Sequence, residues 1–120
     1  MTVYVKNLII NSGEDFSQDL DLLSADGSGV VNLTNFSVES QLRKHPDSTK
    51  FVDIAVSITD PTQGKINISI ANTITATIKP GRHVYDIVLI KPNGFKSVAV
   101  EGNALVRSGI NTFVHYYGSP

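Results

Sequence analysis

The sequence predicts an all-β protein, an immunoglobulin-like antiparallel β-sandwich of about seven to nine strands. Apolar residues alternate with period two almost from end to end, and turn signals separate the runs at ~8–12-residue spacing. The third observation is a Pro-Gly turn, Pro80-Gly81, that feeds a strand with Tyr85, Ile87 and Leu89 on one face. Pro80 fixes its own φ and Gly81 can take a positive one, so the chain can reverse sharply before it extends. A tyrosine just after such a turn anchors a sandwich corner, burying its ring and returning its hydroxyl to the backbone.

Taken in order, Val3 and Val5 open a first strand. Phe16, Gln18, Leu20 and Leu22 form a second, ended by a glycine-rich turn around Asp26-Gly27. Phe36, Val38, Ser40 and Leu42 alternate in a third, followed by the polar connection Arg43-Lys44-His45-Pro46-Asp47-Ser48, an expected exposed loop. Val52, Ile54, Val56 and Ile58 give a fourth that stops at Asp60-Pro61, and Ile66, Ile68 and Ile70 follow Gly64. One helical turn between sheets would fit residues 73–78, but the alternation of Ile74, Ala76 and Ile78 favours a strand. The Tyr85 strand ends at Pro92-Asn93-Gly94, and Val98, Val100, Ala104 and Val106 close the series. Gly102 falls on that same face, where a strand glycine marks a local packing constraint. The predicted core comprises Val5, Phe16, Leu20, Phe36, Val38, Ile54, Val56, Ile66, Ile68, Tyr85, Ile87, Leu89, Val98 and Val100.

At 120 residues the chain is sized for one domain, and 41% hydrophobic content is enough for one core. Ten basic residues against eleven acidic ones leave a formal charge of -1 without a basic run. Counterion release has no evident source, so neither nucleic acid nor a membrane is an expected partner. There are no cysteines, which excludes disulfides and cysteine metal sites. The start of the chain lacks the pattern of a signal peptide, so assembly in a host cytoplasm is expected.

Candidate chemistry is sparse. His45, His83 and His115 are far apart, and His83 at the mouth of a strand reads as a partly buried structural histidine. Glu14, Asp15, Asp19, Asp21 and Asp26 are the acidic group nearest to a calcium set, but they lack a D-x-D-x-D-G loop. His83 and Asp86 lie on opposite faces of one strand and cannot pair, and no nucleophile elbow occurs. No catalytic residue, cofactor or metal ligand is therefore expected, and the chain reads as non-enzymatic. The exceptional segment is the C-terminal run, residues 112–120. Phe113, His115 and Tyr117 alternate with Val114 and Tyr116, so it is aromatic on both faces, which an ordinary edge strand avoids. Residues 1–111 are accordingly read as the sandwich domain and residues 112–120 as a docking arm. Phe113, His115, Tyr116 and Tyr117 are its expected interface residues.

The order of short motifs also resembles a known group. Gly13-Glu14-Asp15-Phe16, Asn32-Leu33-Thr34-Asn35-Phe36 and Gln41-Leu42-Arg43 come first. Asp60-Pro61 with Gly64-Lys65-Ile66, Gly81-Arg82-His83-Val84-Tyr85-Asp86, Asn93-Gly94 and Glu101-Gly102 follow. Over residues 8–111 this order resembles the small β-sandwich virion structural proteins of tailed bacteriophages. Asn35 and His83 stand where such proteins often carry glycine and an aromatic. The resemblance implies a virion protein of the tail, baseplate, fibre attachment or head surface, present in many copies and contacting other virion proteins. It implies no catalytic residue. A carbohydrate- or host-surface-binding sandwich is the competing class, to be distinguished by where the wet aromatics lie.

Overall fold

The computed structural model describes residues 4–22, 29 and 31–108. Their element order is β1 (Tyr4–Val5), β2 (Leu8–Asn11), β3 (Phe16–Asp21), β4 (Ser37–Arg43), β5 (Val52–Asp60), a 3-10 turn (Pro61–Gln63), β6 (Lys65–Ile70), the single helical turn α1 (Asn72–Thr75), β7 (Gly81–Ile90) and β8 (Lys96–Arg107). This is the all-β sandwich that the alternation predicts. Its strands follow the order β1-β8-β7-β4-β5-β6-β3, with β2 joining β1 on the outer side of β8. The long strand β5 belongs to both layers. Residues 52–54 pair with β4, whereas the stretch from Ala55 onward pairs with β6. A strand that switches sheets makes a closed corner of the sandwich.

Pairing is antiparallel except at the N-terminal edge, where β1 and β2 both run parallel to β8. The sheet is therefore mixed. The inward face of each strand supplies the core. Ile54, Ile66, Ile68, Ile87, Leu89 and Val100 are buried as expected, and Phe16, Leu20, Phe36, Val38 and Val56 pack half-buried against them. Leu8, Ile10, Leu33, Leu42 and Val106 are among the further residues of that core.

Two expected core residues lie elsewhere. Val5 is 75% exposed, because the residues of the N-terminal edge that face inward are the even-numbered ones, Leu8 and Ile10. Val98 is only half-buried. The register between β7 and β8 shifts after Ile87↔Val100 to Val88↔Val98, so Ala99 is the extra residue of a bulge and turns inward instead. Such a bulge inverts the alternation on either side of it.

The expected strand at residues 73–78 is corrected to α1 and the turn after it. The helical turn forms because Asp15 caps it from a distant segment. Its Oδ1 accepts from the Asn72 backbone N–H at 2.7 Å and from Asn72 Nδ2 at 3.0 Å. Thr75, fully buried, then joins α1 to the turn after β2, accepting from the Gly13 N–H at 3.0 Å and donating to the Glu14 carbonyl at 2.9 Å. Local alternation loses to these tertiary bonds. Asn35, which stands where the resemblance leads one to expect glycine, has φ 66. Asparagine tolerates that left-handed conformation better than most side chains, so the turn survives the exchange.

Tyr85 fulfils its predicted role by an unexpected route. Its ring is 4% exposed, and its hydroxyl donates to the Lys6 carbonyl at 2.5 Å, a partner 79 residues earlier in the chain. Tyr85 pairs with Gly102 across β7 and β8. A Cβ on Gly102 would lie 2.2 Å from the Lys6 carbonyl oxygen. The close approach that demands glycine is thus made by the chain's own N-terminal edge.

Tyr85→Phe should cost about 1–3 kcal/mol, since it leaves the Lys6 carbonyl without its donor. Gly102→Ala should cost about 1–3 kcal/mol by overpacking. The two costs should combine to less than their sum, because both displace Lys6. Denaturant melts of the single and double variants measure this. Burial pushes the Tyr85 phenol up to about 12 from an ordinary 10.0. The neutral form is thus favoured in the fold, and its contribution is complete below pH 10, to be lost as pH rises through about 12. Tyr85→Phe should remove that part of the alkaline loss.

Candidate interaction surfaces

The described residues that come together on one surface are those whose side chains leave the core on the outer side of the larger layer. The register aligns them in rows. Arg43, Val84 and Asn103 form one row across β4, β7 and β8, and Gln41, Asp86 and Glu101 form the next. Val5 extends the second row through its pairing with Glu101. Asn7 accepts from the Asn103 N–H through its side-chain carbonyl at 3.1 Å. With Pro46 from the loop after β4, these residues line a half-open groove of about 690 Å³ whose floor opens at Gly102.

Its electrostatics are uneven. Arg43 is held away from a simple ion pair: Nη2 donates to Gln41 Oε1 at 2.9 Å, Nη1 donates to the Ser48 carbonyl, and the guanidinium lies 4.9 Å over the Phe51 ring. Asp86 is raised above the usual carboxylate range. Burial is the main cause; Arg43 opposes it, and Glu39 and Glu101 add to it. The groove is a polar, mildly acidic trough suited to hydrogen-bonding a ligand or partner.

The sequence-predicted candidates fall as follows. His83 is 6% exposed, facing the core, and its Nε2–H donates to the Lys79 carbonyl at 2.7 Å, a structural role as expected. Asp86 faces the groove on the opposite side, so the two do not meet. The acidic group is dispersed among structural bonds. Asp15 caps α1, Asp19 accepts from Asn67 at 2.8 Å, Asp21 pairs with Lys65 at 3.2 Å, and Glu14 accepts from Asn11 at 3.3 Å. Asp26 lies outside the described residues. Among the described residues no group of three or more such side chains is placed to hold a metal ion. Phe113, His115, Tyr116 and Tyr117 lie outside the described residues, as does the domain boundary at residue 111.

Sequence reasoning missed a second surface. Ile9 is 57% exposed and Leu105, its register partner, 42% exposed. With Val5 they give this edge of the sandwich, unpaired on its outer side among the described residues, an apolar face. The other end of the strand order, β3, presents Asp19 and Asp21 instead.

No protein-family model matches the chain, and no curated protein sequence does. Solved structures do resemble it. The N-terminal domain of phage TP901-1 ORF48 superposes with a TM-score of 0.57 at 12% identity, over 89% of this chain and 99% of that one. The Listeria monocytogenes internalin-like protein lmo2027 is also similar, at 10% identity and a TM-score of 0.43, over 89% of this chain and 28% of that one. The first likeness shows a shared fold; the second is too loose to add to it.

Asp86→Asn should raise the melting temperature at pH 7, because the folded state then no longer holds a half-buried charge beside Glu39 and Glu101. A carboxyl with a raised folded pKa favours the fold when protonated, so the unsubstituted chain recovers this stability as pH falls through the raised value. The gap between variant and parent should therefore close near pH ~4, where an ordinary aspartate titrates. Melting in EDTA should match melting without it, since Glu14, Asp15, Asp19 and Asp21 already serve structural bonds.

Proposed function

We propose that the chain is a non-enzymatic structural component of a tailed-phage virion, acting through protein–protein contacts in several copies. The observation that carries this reading is the fold likeness to the N-terminal domain of phage TP901-1 ORF48, which spans nearly all of that domain. The motif order over residues 8–111 points the same way. An apolar edge beside a groove without a catalytic constellation suits a module that presents faces and edges to neighbours. The finer assignment covers a tail, baseplate, fibre-adaptor or head-decoration position, and the partners are other virion proteins rather than nucleic acid or membrane. Phe113, His115, Tyr116 and Tyr117 form the contact segment, with three aromatics of the kind that dominate interface energetics.

A second reading, carbohydrate or host-surface binding, is favoured by one observation. The groove gathers Gln41, Arg43, Asp86, Glu101 and Asn103, side chains that hydrogen-bond sugar hydroxyls well. Against it, the exposed aromatic Phe51 is engaged by Arg43, and Phe95 lies under Lys91, so neither offers a bare stacking platform.

Mass spectrometry of purified virions should detect the chain at multi-copy stoichiometry. Deleting residues 112–120 should leave a folded domain that incorporates poorly. Full incorporation of the deletion variant would overturn the contact-segment role, and unfolding of the isolated variant would make the segment an ordinary core strand. A glycan array should show no binder; a hit abolished by Asp86→Asn would favour the sugar reading.

A further inference from the structure

We propose that the β1–β2 edge of one copy receives residues 112–117 of a second copy as an added strand, the exchange being reciprocal across a two-fold axis. This rests on the reading of residues 112–120 as a contact segment and names what that segment contacts.

The two ends of the strand order are built differently. β3 carries Asp19 and Asp21 outward, tied to Asn67 and Lys65, and charges of this kind deter strand addition. The β1–β2 edge carries Val5 and Ile9 outward, 75% and 57% exposed, with Leu105 beside Ile9. Its backbone is also available. The Lys6 and Ser12 N–H groups donate to the Glu101 and Arg107 carbonyls of β8, so even-numbered residues turn their backbone groups into the sheet. By alternation, Asn7 and Ile9 turn theirs outward. No strand pairs with that side among the described residues. Such an edge is a template for another strand.

The occupant follows from where the chain leads. Arg107, the last residue of β8, pairs with Asn11, so β8 ends level with the end of this same edge, and residues 109–120 follow it in the chain. Extended, residues 112–117 span ~20 Å, close to the length of the edge from Val5 to Asn11. The match holds in either phase. One face offers Phe113, His115 and Tyr117, the other Thr112, Val114 and Tyr116, so either face brings an aromatic to the apolar edge.

Direction favours a second copy over the chain's own edge. To double back, residues 108–111 would have to pass the turn at residues 12–14. That turn is pinned across the end of β2, with the Gly13 N–H on Thr75 Oγ1 and Ser12 Oγ donating to the Thr75 carbonyl. A segment that simply continues along β8 needs no reversal. β8 is parallel to β2, so across a two-fold axis perpendicular to the strands the continuing segment meets the partner's β2 running antiparallel to it. Exchange of identical elements between copies is a low-cost route to a dimer.

Light scattering on the full chain should show a dimer. Deletion of residues 112–120 should give a monomer, and Ile9→Lys should raise the dimer dissociation constant at least about tenfold, as expected for a charge at the contact. Val5→Lys, at a more exposed position, repeats the test should Ile9→Lys lose its circular-dichroism β signal. Mixing the deletion variant with Ile9→Lys should restore a dimer, because one supplies an intact edge and the other an intact arm. A monomeric full chain, a dimeric deletion variant, or edge variants that dimerise normally would each overturn the inference. If the deletion variant fails to enter virions while Ile9→Lys enters normally, the arm contacts a different virion protein. The proposed function would then stand and this inference would fall.

Discussion

The hydrogen bond from Tyr85 to the Lys6 carbonyl, laid over Gly102, is the junction on which the architecture turns. Antiparallel strands that follow one another in the chain are aligned by their connections. β7 and β8 are joined by a short turn at residues 91–95, where the Gly94 N–H bonds back to Lys91. The parallel N-terminal strands have no such turn to fix their register against β8. A side-chain-to-backbone bond does that work. Tyr85 selects the Lys6 carbonyl, Gly102 leaves room for it, and the register of β1 and β2 follows on either side. That register sends Leu8 and Ile10 into the core and leaves Val5 and Ile9 outside. The groove floor and the apolar edge both descend from one phenol.

A comparable logic holds the opposite end. Thr75 and Asp15 join α1 to the chain between β2 and β3, so the crossing from β6 to β7 is tied to the turn that leaves the N-terminal edge. Leu33, fully buried, fastens the approach to β4 through its N–H on the Pro61 carbonyl at 2.7 Å. Gly64 permits the Leu22 and Val31 carbonyls to pass where a Cβ would lie 2.7 Å from each. These are long-range fastenings between loops. They stabilise the sandwich at the places where the ladder bonds of strands stop.

Much of the layout was legible from period two alone, because strands such as β5 and β6 bury one face and wet the other without interruption. His83 and Tyr85 were legible for the same reason. Their phase put them inside, and each needed a polar partner there. The failures have specific causes. Val5 was misplaced because Lys6 occupies an inward phase, where its backbone rather than its side chain faces Gly102. Val98 was misplaced because a bulge at Ala99 leaves no mark in an apolar run. The alternation of residues 73–78 was genuine, but Asp15, more than fifty residues away, decided otherwise. The groove was illegible in principle, since it joins Arg43, Asp86 and Glu101 through a register that only the folded sheet defines. The apolar edge escaped notice because Ile9 looks like a core residue until its neighbours are known.

The parallel pairing of β2 with β8 also sets a timetable. Asn7 and its partner Asn103 are 96 residues apart, so the first of these strands to leave the ribosome pairs with the last. At ~5–20 residues per second, β2 waits on the order of 5–20 s with Leu8 and Ile10, both buried in the finished fold, still uncovered. Meanwhile β3 to β7 can pair antiparallel among themselves, β3 with β6, β4 with β5 and β7, and β5 with β6. The nascent domain thus passes through a stage in which an apolar strand is loose and its receiving strand has not yet been made. During synthesis in a crowded cell, that interval is when a neighbouring nascent copy could offer a competing edge.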